Sequence, residues 1–344
     1  MAFFKGRLPT ILLLAVFSAV LWHLLEAFTY RYLISAIPAL FAVQVTLSDV
    51  LEDILVSKVG YRTRWFTLLI APGTILHELC HLFAALITGC TVTKVSLFKP
   101  NPRTGVVGFV SYTQRRDKWI VFREFIVGFA PFFGCGLMLF LFNLLNGGTL
   151  LDLVNPDPIG NSGDALALSS SIISLMVDSA SRLDFTQPVV FLFIYLQFCF
   201  AVGAAPSSVD FRGSFGSLSK NLFSAVFFLA FLAALVFTSQ GYFPVEQVQG
   251  QLASYVAIAL KFTVIVLLLS TSLLLIAIPL AFVAIKLSEI KGIAKTIPVT
   301  SSLLAYQLLL ETRGIRLAAL AAAAVLLIAY LIFKPRKTRL AKQT

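Results

Sequence analysis

Ala71-Pro72-Gly73-Thr74-Ile75-Leu76-His77-Glu78-Leu79-Cys80-His81-Leu82-Phe83 lies inside Trp65–Thr88, an otherwise apolar run long enough to cross a bilayer as a helix. Residues four apart on a helix share a face, so the imidazoles of His77 and His81 can bind one metal ion. Glu78 follows the first imidazole, where a carboxylate can act as general base on water held by Zn²⁺. An ionised carboxylate at membrane depth costs several kcal/mol without a partner, and a dication supplies one. The competing explanation is a set of ordinary hydrogen-bonding residues on a helix interface. With only 3 His in the chain, finding two of them in the spacing that zinc chemistry needs weighs against it.

The composition around this stretch has the same meaning. Of 344 residues, 58% are hydrophobic and 12% charged, and 32 are Phe. A water-soluble fold would expose large apolar patches with such a make-up, so soluble, disordered and fibrous classes are excluded. The 4 Cys, at 80, 90, 135 and 199, sit in or beside apolar runs and imply no disulfide framework. A formal charge of +11 does not point to nucleic acid, because the basic residues fall in short loops between apolar runs.

Seven stretches are candidate spans: Leu8–Phe28, Trp65–Thr88, Phe125–Leu145, Pro188–Ala205, Leu222–Thr238, one within Leu252–Ile285, and Ile315–Phe333. The first, with Lys5 and Arg7 before it and no small-residue cleavage site after it, reads as an uncleaved signal anchor. Ile34–Leu47 is short, contains Pro38 and Gln44 and runs into Asp49, Glu52 and Asp53, so an interfacial or re-entrant helix is expected there. The expected fold is an all-α polytopic membrane protein with about seven transmembrane helices and a small β-hairpin after the helix bearing His77. Its organisation is 1–63, signal anchor and interfacial segment; 64–220, membrane core; and 221–344, C-terminal helices and basic tail.

Lys94, Lys99, Arg103, Arg115, Arg116, Lys118 and Arg123 crowd one short loop, whereas Leu150–Gln187 carries five Asp against Arg182 alone. The positive-inside rule puts the first loop in the cytoplasm and the second outside, which sets the N-terminus inside. Seven spans would leave the basic tail outside, so an eighth crossing, in Leu252–Ile285 or Ile297–Leu310, is the expected remedy. The acidic, Ser-rich stretch Asn146–Gln187 reads as a long outer loop.

Zinc needs a third protein ligand, with one position left for water or substrate. His23, Asp210, Glu124, Glu246, Glu289 and Glu311 are available. Asp210 follows Pro206 just past the cytoplasmic end of the Pro188 span, where irregular chain can fold back toward His77 and His81 if it lines a protein cavity. Its competing role is a surface pair with Arg212. Cys80 is expected to be a packing residue, and Lys261 to snorkel or mark a bend.

These residues together resemble the site-2 protease family of intramembrane zinc metalloproteases. The resemblance rests on Gly73–His81; on Thr91–Phe98 and Val106–Tyr112 alternating around Pro100-Asn101-Pro102-Arg103-Thr104-Gly105; on Gly128-Phe129-Ala130-Pro131; and on Pro206–Gly213. It covers roughly Trp65–Lys220. It implies one Zn²⁺ per chain held by His77, His81 and Asp210, with Glu78 as the base, and a membrane-protein substrate cut in or near a spanning segment. Gly134 stands where the family has Asn, and Phe211 follows Asp210 where the family has Gly. Ser207, Ser208 and Gln197 are the residues available to stabilise an oxyanion. The rival readings are a membrane zincin with a Glu as third ligand and a non-catalytic zinc-binding scaffold or transporter.

Overall fold

A computed structural model describes residues 8–26, 30–58, 64–99, 107–145, 150–154, 162–184, 187–205, 210, 213–214, 216–217, 220–239, 246–288, 301–302 and 325. The chain divides into two compact units, Met1–Ala277 and Ile278–Thr344. Among the described residues the architecture is helical, with one two-stranded sheet. In chain order the elements are α1 (Leu8–Leu24), α2 (Arg31–Lys58), α3 (Arg64–Ile87), β1 (Thr91–Ser96), β2 (Phe109–Thr113), α4 (Ile120–Leu145), α5 (Leu150–Leu153), α6 (Ser162–Ser181), α7 (Pro188–Ala204), α8 (Leu222–Ser239) and α9 (Glu246–Ser288).

Among the described residues, four helical stretches are long and apolar enough to cross a membrane: Arg31–Leu51, Ile70–Ile87, Ile120–Leu145 and Gln251–Phe282. Shorter apolar helical stretches cover Leu14–Leu24, Leu166–Ser179, Val189–Ala204 and Leu222–Ala234. Six of the seven expected spans coincide with helices, and the seventh, Ile315–Phe333, lies outside the described residues apart from the single position 325.

Three expectations change. Ile34–Leu47 belongs to α2, which continues through the acidic residues to Lys58. Leu47, Leu51 and Ile54 keep the apolar stripe in helical register, and Asp49 is itself buried. The stretch Asn146–Gln187, expected as a long outer loop, contains the 20-residue α6. Ile172 of that helix is 1% exposed in the main core, beside Phe41, Phe132, Leu139 and Leu267. Apolar positions 168, 172, 175 and 176 give α6 one buried face, a pattern that the Asp and Ser residues between them obscure. Finally, Leu252–Ile285 lies within one unbroken helix that runs through a buried Lys261, so it supplies no second crossing.

The helix with the metal-type motif, α3, packs against α4 and α7, and these two pack against each other. Small residues allow the close approach. A Cβ on Gly73 of α3 would collide with the Cys199 carbonyl of α7, and one on Gly203 of α7 would lie 2.9 Å from the Gly73 carbonyl. Gly134 of α4 makes room for the Cys80 sulfur in the same way. Cys80 therefore packs between α3 and α4, as expected.

Gly89, at φ 73°, ends α3. Its N–H bonds to the Leu86 carbonyl at 3.1 Å and the Cys90 N–H to the Ala85 carbonyl at 2.8 Å, the paired bonds of a Schellman stop. The chain turns directly into the antiparallel hairpin, with Thr91 opposite Thr113, Val92 opposite Tyr112 and Ser96 opposite Phe109. The register slips between Val92 and Lys94, and Thr93 Oγ1 donates to the Ser111 carbonyl there at 3.0 Å. Tyr112 and Gln114 both donate to the Glu124 carboxylate in the first turns of α4, which ties β2 to that helix.

Candidate metal centre

On α3 the two imidazoles lie one turn apart with ring centroids at 4.8 Å. Each is oriented through Nδ1: His77 to the Gly203 carbonyl at 2.8 Å, His81 to the Val127 carbonyl at 2.7 Å. A carbonyl can only accept, so both Nδ1 atoms carry hydrogen. In the neutral rings, therefore, both Nε2 atoms present bare lone pairs. They face each other at 3.1 Å.

The sequence explains why these two carbonyls are free to accept. Pro131 lies inside α4 and has no N–H, so the carbonyl four residues back, Val127, loses its helical partner. Gly203 is one of the last four residues of α7, whose carbonyls have no N–H ahead of them in the helix. Both imidazoles are thus held by backbone acceptors that the helix ladders leave open.

Asp210 closes the cluster from a separate segment of the chain. Its Oδ2 is 3.4 Å from His77 Nε2 and its Oδ1 is 3.3 Å from His81 Nε2. The backbone of this segment sits on α4 at Gly128, where a Cβ would collide with Ser214 Oγ and stand 3.4 Å from the Asp210 carbonyl. Ser214 Oγ donates to the Glu124 carbonyl at 3.1 Å. Glu78 is 8% exposed, and its side chain lies against Gly108 at the entrance to β2, with its Cγ 2.7 Å from where a Cβ would stand.

Ligand atoms of His77, His81 and Asp210 all lie within 4.8 Å of one another. Two bare imidazole nitrogens and a carboxylate repel unless positive charge lies between them, and this donor set suits Zn²⁺. Neighbouring donors in a tetrahedral shell with bonds of about 2.0–2.1 Å stand about 3.3 Å apart. The spacings of 3.1, 3.3 and 3.4 Å are close to that edge length. The backbone bonds to Nδ1 are of the kind that fix tautomer and ring orientation in metal sites.

Among the described residues, the structure therefore gathers His77, His81 and Asp210, with Glu78 in electrostatic reach of all three. Glu124 is engaged by Tyr112 and Gln114 instead, and Glu246 begins α9. His23 lies in the last turn of α1, outside the cluster. Gln197 is six residues before Gly203 on α7, about 9 Å along the axis. Arg212, Ser207, Ser208, Glu289 and Glu311 lie outside the described residues. Sequence reasoning missed the Val127 and Gly203 carbonyls. The local signals were present, a proline four residues after one and a helix end beside the other, but their pairing with His81 and His77 is tertiary.

Comparison of the chain with protein-family models, curated proteins and solved structures finds no match.

Proposed function

We propose that the chain is an intramembrane zinc endopeptidase, of the kind the site-2 proteases represent, hydrolysing a peptide bond in or near a membrane-spanning segment of a substrate protein. One observation carries this reading: three ligand-type side chains from two separate parts of the chain converge, with both imidazoles oriented and a buried carboxylate, Glu78, beside them. A bound Zn²⁺ acidifies water and polarises the scissile carbonyl. His77, His81 and Asp210 hold the ion, and their backbone bonds keep the rings from turning. Glu78 takes a proton from the attacking water and passes it to the leaving nitrogen, which also receives the second water proton, so that peptide and water become a carboxylate and an ammonium group. The neighbouring hairpin gives an extended, unwound substrate segment a surface to lie along.

The Glu-ligand zincin is disfavoured because the Asp210 carboxylate stands 3.4 and 3.3 Å from the two imidazoles and Glu124 is tied to the hairpin. A closed structural zinc site would need a fourth protein ligand, and no group of four is found among the described residues. The protein is proposed to be a multi-pass resident of the cell membrane, with the hairpin loop and the N-terminus in the cytoplasm. A cytoplasmic N-terminus requires one crossing among α1 and α2; none or two would put it outside. The deciding experiment reconstitutes wild-type and Glu78→Gln protein with a single-span substrate. Cleavage by the wild type and none by a zinc-loaded Glu78→Gln is expected, and equal cleavage by both would remove Glu78 from the chemistry.

A further inference from the structure

α7 stops at Ala204 in the protein interior, with Ala201, Ala204 and Ala205 all less than 5% exposed. Its last carbonyls must find partners there, because neither lipid nor water can serve them. The Ala205 N–H turns back to the Val202 carbonyl at 3.2 Å and so does not reach Ala201. The Gly203 carbonyl takes His77 Nδ1. The Ala201 carbonyl, which opens this last turn, accepts from Ser270 Oγ on α9 at 2.7 Å.

A serine hydroxyl has one hydrogen. With that hydrogen on Ala201, Ser270 Oγ can only accept, and it does so from Gln44 Nε2 on α2 at 2.9 Å. This also fixes the Gln44 amide, since its carbonyl end has nothing to accept from Ser270. Gln44 and Ser270 are both 0% exposed, on helices that give Phe41, Ile265, Leu267 and Leu269 to the main hydrophobic core. A polar chain this deep, joining two helices that carry no ligand to the turn that holds His77, needs a reason beyond packing.

We infer that Gln44 and Ser270 are positioning residues of the metal centre: they cap the broken end of α7 and thereby hold the Gly203 carbonyl where it orients His77. Without the hydroxyl, the Ala201 carbonyl is orphaned in apolar surroundings, and the end of α7 relieves it by shifting. Gly203, two residues further along the same turn, moves with it and releases His77 Nδ1. The inference rests on the zinc reading proposed above.

The test uses the full chain in detergent or nanodiscs, read by Zn²⁺ affinity from chelator competition and by the visible spectrum of the Co²⁺-loaded protein. Ser270→Ala is expected to weaken affinity by about tenfold, the low end for loss of an orienting partner, and to alter the Co²⁺ bands. Gln44→Leu shifts both readouts in the same direction, and Ser270→Cys, with a weak S–H donor, falls between alanine and wild type. Thr271→Val is the control: the neighbouring hydroxyl is buried with no hydrogen-bond partner among the described residues, so its removal leaves affinity and spectrum unchanged. Should Ser270→Ala fail to fold, Gln44→Leu against Thr271→Val decides. A wild-type chain that binds one metal ion, matched in affinity and spectrum by Ser270→Ala and Gln44→Leu, overturns this inference alone. A wild-type chain that takes up no metal overturns it together with the zinc reading.

Discussion

Replacing Pro131 by alanine gives α4 back an N–H at the position that would reach the Val127 carbonyl, and so sets the helix in competition with His81. The carbonyl has two lone pairs and can accept both hydrogens, but a helical N–H draws it toward the helix axis, away from His81 Nδ1, now at 2.7 Å. Weakening an orienting bond of this type reduces metal affinity by about tenfold or more, and a tenfold change is about 1.4 kcal/mol. The fold should respond in the opposite direction. A proline inside a helix costs about 3 kcal/mol, part of it recovered on substitution and part lost to the small void left at a fully buried side chain. The expected signature of Pro131→Ala is therefore a melting temperature of the zinc-free protein at or above that of the wild type, with weaker zinc binding. Both are measurable on one preparation, by thermal unfolding and by chelator competition. Zinc affinity equal to wild type would refute the argument that Pro131 frees Val127 to hold His81.

Other substitutions test neighbouring parts of the account. Gly108→Ala pushes a methyl group into Glu78 and should abolish proteolysis while zinc content stays at the wild-type level; unchanged turnover would separate the hairpin entrance from the base. Gly73→Ala should prevent α3 and α7 from closing and lower both metal affinity and thermal stability, read on the same protein. Burial first, and the Glu124 carboxylate second, push the Tyr112 phenol well above its ordinary range. A raised pKa stabilises the fold fully below the unfolded value of about 10 and loses that contribution as pH rises through the folded value. Ultraviolet titration should thus find Tyr112 neutral past pH 10 and its ionisation coincident with release of the hairpin; ordinary titration would contradict the Tyr112–Glu124 contact. Cysteine placed at Lys94 should label only from the cytoplasmic face, and a tag at the N-terminus should be accessible from that face too. Outer-face labelling of the tag alone would mean that α1 and α2 both cross or that neither does.

Apolar runs and the His77-Glu78-x-x-His81 spacing were legible because each is a local pattern, written in consecutive residues. Asp210 was legible less directly, through the proline-broken chain before it and the likeness of Pro206–Gly213 to a known stretch. The extent of α2 was hidden by Asp49, Glu52 and Asp53, since charge counting ends a span where the helical stripe of Leu47, Leu51 and Ile54 does not. The helix in the acidic segment was hidden for the same reason, because its buried face is spread among serines and aspartates. Gln44 stood out in an apolar run, but its partner Ser270 is 226 residues away, a pairing that only packing brings about. Those tertiary pairings fix the geometry of the cluster; the sequence pattern names only its chemistry.

The central claim is that His77, His81 and Asp210 hold one zinc ion. Metal analysis of the purified full chain, wild type beside His77→Ala and Asp210→Ala, tests it most directly. One equivalent of zinc in the wild type and loss of it in both variants is the expected result. A zinc-free wild type under zinc-replete expression, or wild-type zinc content and affinity in Asp210→Ala, would contradict it.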